Sequence, residues 1–289
     1  MSLVKKLAGE TAIYGLSSIV GRVVNWVSLT PYLTRVFLES EYGIVNDLYF
    51  YIALLLVFFT YRMETAFFRF ASRAKAEQSD PDTIFTTASL SIIATTVFFT
   101  TLLLWLAPNI ANWLKYPGRE DYVRVFTFIV AFDALAAIPF ARLRMDSRPI
   151  RFALIKLSAI VINIILVFFF LEAMPWAVER NMGWAKAIYN PEHRVAYIFW
   201  ANLLASGCTL VLLSPLYYQL AWRFAQDVWQ RMLNYALPLV LAAVAGIVNQ
   251  LIGTPLLKIL GPGTTEENLA LGGIYAAAAK LAVLMNLFV

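Results

Sequence analysis

The chain has 289 residues, of which 61% are apolar, 15% aromatic and 14% charged, whereas an average soluble domain is about 45–50% apolar and about 25% charged. Together with a mean hydropathy of +0.69 this excludes a disordered chain, a disulfide scaffold and an ordinary soluble enzyme. Net charge is +5 with a pI near 9.3, and the basic residues lie mainly between long apolar runs, so they read as determinants of membrane orientation rather than as a nucleic-acid surface.

Eight runs are long enough for a helix to cross ~30 Å of hydrocarbon: 12–34, 44–68, 86–107, 121–141, 151–174, 195–218, 232–256 and 269–289. They are continuous rather than alternating, so helices, not barrel strands, would satisfy their backbone. Pro31, Pro139, Pro215, Pro238 and Pro255 fall mostly toward span ends, where a kink costs least. Lys5 and Lys6 precede the first run, but it is too long for a signal peptide and no clear cleavage site follows.

Span 1 carries Arg22 ten residues from its start, ~15 Å deep at 1.5 Å per residue. Gly15, Ser18, Arg22, Asn25 and Ser28 recur at spacings of three or four and form one small-and-polar stripe. Such a stripe faces protein or water. Arg35 follows the span. In span 2, Asp47 lies near one end, and Arg62 with Glu64 near the other. Span 4 holds Asp133 at its middle, and Arg124 and Lys156 sit near span ends, where they can snorkel. The loop 141–151 (ARLRMDSRPIR) is the strongest contributor to a bias of eleven Lys and Arg on one side against seven on the other, which places the N-terminus in the cytoplasm. Trp105, Trp113, Trp176, Trp184 and Trp200 fall near outer ends, and Trp222 and Trp229 near inner ones, as amphipathic rings prefer. In 219–231, Leu220, Phe224 and Val228 share a helical face; the segment reads as an interfacial helix, with a plain connecting loop as the alternative. Lys280 lies midway along span 8, which stops at Val289 without a polar flank, as a chain lacking further helices would.

A charge at the bilayer centre costs at least ~2.5–3.5 kcal/mol, so each needs a reason. Asp133 has two readings: pairing with Arg22 or Lys280, or ion coupling, a role also open to Glu64. Arg22 and Lys280 at mid-depth would make a hollow that attracts anions, because Arg clamps phosphate bidentately and Lys acts as a point charge. One cysteine, Cys208, rules out a disulfide within the chain. The lone histidine, His193, cannot build a zinc site with it. No metal or cofactor is expected.

Span 1 contains Asn25-x4-Thr30-Pro31 followed by Arg35, and span 7 contains Asn249-x4-Thr254-Pro255 followed by Lys258. Gly43-Ile44 and Gly273-Ile274 then open the next spans. Either the match is chance or it marks a parallel repeat of six-helix lobes. The repeat reading gives an all-α polytopic membrane protein with a six-helix N-terminal lobe (1–218), an interfacial linker helix (219–231) and the first two helices of a second, truncated lobe (232–289).

The stretch 14–50 resembles the opening of polysaccharide-export flippases, and 61–73 (YRMETAFFRFASR), 142–155 (RLRMDSRPIRFALI) and 273–284 (GIYAAAAKLAVL) resemble later parts of the same pattern. The group is the polysaccharide-transporter branch of the multidrug/oligosaccharidyl-lipid/polysaccharide exporter superfamily. The resemblance implies two six-helix lobes around a V-shaped cavity in a bacterial cytoplasmic membrane. It also implies transport of an undecaprenyl-diphosphate-linked oligosaccharide to the outer leaflet, without enzymatic chemistry. Glycan polymerases or glycosyltransferases would be its partners. By position, Arg22, Asn25 and Lys280 would meet the substrate, with Arg35 and Arg62. The sequence departs from the pattern after Asn249, where Gly253-Thr254 replaces an Asp-Arg pair. Two rival readings are a drug or cation antiporter, which would line its cavity with carboxylates, and a membrane-embedded glycan-assembly enzyme, for which the loop 175–194 with Glu179, Glu192 and His193 is the one place to look.

Overall fold

The computed structural model describes the backbone of residues 3–218, 220 and 223–285; within these, the side chains of 3–12, 16–18, 22, 25, 26, 192 and 283–285 lie outside the described residues. Every regular element described is helical. In chain order they are α1 (Leu3–Val36), α2 (Glu39–Thr60), α3 (Met63–Ala76), α4 (Pro81–Trp105), α5 (Ala107–Trp113), α6 (Glu120–Met145) and α7 (Pro149–Phe168). A π turn (Phe169–Ala173) continues α7 into α8 (Met174–Glu179), followed by α9 (Gly183–Ile188), α10 (Arg194–Tyr217), α11 (Gln226–Leu251), α12 (Gly253–Leu260) and α13 (Thr265–Met285).

Six stretches are long and apolar enough to cross a membrane among the described residues: Glu39–Thr60, Pro81–Trp105, Glu120–Met145, Pro149–Glu179, Arg194–Tyr217 and Gln226–Leu251. The chain is an all-α, multi-pass membrane protein. Helices α1 and α13 cover predicted spans 1 and 8 but are not among these six. Both helices include side chains that lie outside the described residues.

Polar contacts gather the turns at two ends. At the basic end Arg142 pairs with Asp82 (2.6 Å) and Asp146 (2.9 Å), Lys75 donates to the Met145 carbonyl (3.3 Å), and the Ala225 N–H donates to Thr87 Oγ1 (3.2 Å). At the opposite end Arg194 donates to the Val36 carbonyl (3.2 Å), and Tyr116 donates to Asp47 (2.8 Å). Trp105, Trp113, Trp176 and Trp184 are exposed, as rings of an interfacial belt are. Helix α6 packs against α2, α4 and α10 and contributes to both core clusters: Val123, Phe126 and Ile129 to one, Ile138, Ala141 and Leu143 to the other.

The linker differs from its expected form. Residues 223–225 are not helical, and α11 starts only at Gln226. Described residues of the segment and of the first turn of α11 contact α4. Leu220 is buried, Ala225 bonds to Thr87, and Trp229 Nε1 donates to Ser91 Oγ at 2.7 Å. Helices α11–α13 then pack on the preceding bundle through α2, α3 and α4.

The Gly-Ile pairs of the suspected repeat meet in space. A Cβ on Gly43 would strike the Leu269 carbonyl, and one on Gly273 would strike the Glu39 carbonyl. Leu269 and Glu39 stand at equal offsets from their glycines, so the contact is reciprocal, as a two-fold relation between α2 and α13 requires. Only glycine permits this approach. Gly273→Ala is therefore expected to cost about 1–3 kcal/mol by overpacking. Gly15→Ala, which meets nothing within 4 Å, should stay within about 0.5 kcal/mol. Thermal unfolding in detergent checks the difference, and equal melting temperatures would contradict it.

Candidate functional site

The second predicted span is not one helix. It breaks at Tyr61 and Arg62, both left-handed, with φ of 34° and 60°. Such angles are uncommon without glycine, and irregular backbone at membrane depth is tolerated where it is buried in protein or lines a cavity. Here the break is held from behind: Tyr61 OH and Trp229 Nε1 both hydrogen-bond Ser91 Oγ. In front, Arg62 and Glu64 enter the wall of a cavity of about 700 Å³.

Three further helices supply most of the remaining polar wall at helical spacing. Helix α6 contributes Asp133, Ala137, Phe140 and Arg144; α7 contributes Phe152, Lys156 and Asn163; α10 contributes Asn202, Ser206 and Thr209. Each set falls on one face because residues three or four apart are neighbours on a helix. Ala53, Leu56 and Thr60 of α2 and Ile247 of α11 also face the hollow.

The chemistry changes along the hollow. Arg144 stands eleven residues from Asp133 on α6, ~16 Å nearer the basic end. The charged mouth there includes the Arg62–Glu64 pair at 3.2 Å. Arg144 lies 5.8 Å from the Phe68 ring, and the Lys156 ammonium 4.4 Å from the Phe140 ring. Further in, Lys156 and the Ser206 hydroxyl face the Asp133 carboxylate, and Asn202 donates to Tyr49 OH at 3.0 Å. Arg62 Nε, Glu64 Oε2 and Asn163 Oδ1 are buried without a hydrogen-bond partner among the described residues. A buried polar atom with spare capacity needs an explanation, and a polar guest in the hollow supplies one. Three cations stand against two carboxylates, and amides and hydroxyls continue inward.

Of the residues singled out in the sequence, Arg62, Glu64 and Asp133 come together in this wall. Arg35 does not: it is exposed at the end of α1. Lys280 stands apart from the lining and donates to Tyr42 OH at 2.8 Å. The side chains of Arg22 and Asn25 lie outside the described residues. Their helix does approach the site, for Gly21 abuts Ile160, a lining residue of α7. Sequence reasoning missed Arg144, assigned to a loop, and Lys156, read as snorkelling. The signal was available: Asp133 with Arg144 and Phe152 with Asn163 are each the first and last members of an i, i+4, i+7, i+11 series.

Residues 32–178 match a family model described as "Polysaccharide biosynthesis protein", which is half of the chain. The match contains the cavity residues of α2, α3, α6 and α7 and ends before those of α10. No curated protein and no solved structure gives a match.

Ser91→Ala leaves Tyr61 OH and Trp229 Nε1 without their shared partner. A loss of about 1–3 kcal/mol is expected, read as a lower melting temperature in detergent. An unchanged melting temperature would show that the break does not depend on this contact.

Proposed function

The chain belongs to this polysaccharide biosynthesis family, and from that premise we propose that it is a flippase, not an enzyme, that moves an undecaprenyl-diphosphate-linked oligosaccharide across a bacterial cytoplasmic membrane. The observation that carries the reading is the cation-lined hollow inside a membrane bundle. Arg62 and Arg144 match a diphosphate, which Arg binds through parallel hydrogen bonds, and Lys156 adds a point charge. Asn163, Asn202, Ser206 and Thr209 offer the donors and acceptors that sugar hydroxyls need. The polyprenyl chain, being fully apolar, stays in lipid in this reading.

The positive-inside rule puts the basic end, and with it the charged mouth, on the cytoplasmic side. A lipid-linked sugar would enter there and leave after the bundle opens at the opposite end, by alternating access. Arg22 and Asn25 stay in the proposal through their polar stripe on α1, with Arg35 and Lys280 as flanking cations; Asp133 and Glu64 are the candidates for ion coupling. Glycan polymerases or glycosyltransferases would act before and after the step. Asp133 favours a second reading, a cation antiporter of the same superfamily; Glu64, the other carboxylate, is already engaged by Arg62.

Arg144→Ala and Lys156→Ala are each expected to lower surface-glycan export at least about tenfold at unchanged membrane level, the loss of one charged hydrogen bond. Full export by the double variant, at normal protein level, would overturn the diphosphate dock.

A further inference from the structure

Asp47 and Lys258 form an ion pair that the hollow does not contain. Their side chains are 0% and 1% exposed. Asp47 is six residues from the lining residue Ala53 on α2, ~9 Å toward the end opposite the basic mouth. The Asp47 carboxylate accepts from the Lys258 ammonium and from Tyr116 OH at 2.8 Å. Lys258 also donates to the Leu114 carbonyl at 3.2 Å, and its ammonium sits 4.8 and 5.3 Å from the ring centres of Tyr116 and Tyr51. One cluster thus ties α2, the segment between α5 and α6, and α12. Beyond it, Gly43 and Gly273 bring α2 and α13 into backbone contact.

The choice of charges is informative. An apolar cluster would close this end as stably, because a buried ion pair gains little over well-packed apolar residues of the same size. Charges differ in how they come apart. Shut, both are paired; fully opened, both are hydrated; separated but dry, both pay the whole desolvation penalty. The pair therefore favours two end states over intermediates, which is what a bistable element needs. The carrier of Lys258 is suited to moving: α12 is a short helix, Gly253–Leu260, set off from α11 by Ile252 alone.

We propose that the Asp47–Lys258–Tyr116 cluster is the latch that shuts the cavity at the end away from its charged mouth, and that opening separates Lys258 on α12 from Asp47 on α2. The proposal rests on the alternating-access reading above, but its test does not use the transported substrate. In a Cys208→Ser background, Ala53→Cys reports access to the cavity from outside, by labelling spheroplasts with a membrane-impermeant maleimide. Lys258→Met and Asp47→Asn should each raise labelling at least about tenfold, because breaking one side of a buried pair is strongly unfavourable to the shut state. The exchange Asp47→Lys with Lys258→Asp should bring labelling back down. Unchanged labelling in Lys258→Met at normal membrane level would overturn the latch. Where that variant fails to accumulate, Tyr116→Phe decides in its place: it keeps both charges, a smaller rise is expected, and no rise overturns the latch. A rise in labelling alongside full glycan export by the Arg144 and Lys156 variants would keep the latch and remove the diphosphate reading.

Discussion

A bilayer core supplies no hydrogen-bond partners, so every polar group carried into it must find one in the protein or face a water-filled hollow. That constraint sorts the charges of this chain into separate places. Asp47 and Lys258 meet it largely by mutual burial, with Tyr116 and the Leu114 carbonyl as further partners, although Asp47 Oδ1 has no hydrogen-bond partner among the described residues. Arg142 meets it at the basic end, between Asp82 and Asp146. Arg62, Arg144, Lys156, Asp133 and Glu64 meet it by converging on one cavity. The break between α2 and α3 follows the same logic: its freed backbone lies against the cavity in front and is anchored by Ser91 behind.

Where the spans lie was legible because it depends on composition summed over about 20 residues, a signal that local detail does not erase. The break within the second span was not, since Tyr61-Arg62 contains neither of the residues that normally announce one, glycine or proline. Arg144 was hidden for a related reason. The run ARLRMDSR looks like a polar loop, yet α6 continues to Met145 because Leu143 and Met145 are buried and Arg142 is paired. Lys258 and Asp47 each looked like a charge near a span end, and only folding shows them buried together across a separation of 211 residues. The Gly43-Ile44 and Gly273-Ile274 match was short as a sequence signal, and only the structure shows the two pairs in reciprocal backbone contact.

The two ends of the bundle are built differently. At the basic end the central tie is Arg142, 13% exposed, held between Asp146 at 19% and the exposed Asp82 at 62%. At the other end glycine-mediated backbone contact and a dry ion pair bring α12 and α13 onto α2. A bundle tied at one end by buried contacts and carrying Arg62, Arg144 and Lys156 nearer the other fits the proposed entry of an anion from a single side. The family match covers the break, the α6 face and the α7 face of the cavity, so the features that make the mouth cationic lie within the shared region.

The central claim is that the hollow prefers a prenyl-linked diphosphate over a neutral prenyl lipid. It is tested most directly by equilibrium binding to the purified protein in detergent, comparing a prenyl diphosphate with the corresponding prenyl alcohol. The diphosphate is expected to bind at least about tenfold more tightly, roughly one charged hydrogen bond's worth, and the preference should vanish in the Arg144→Ala, Lys156→Ala double variant. Equal affinity of the wild-type protein for the two lipids would contradict it.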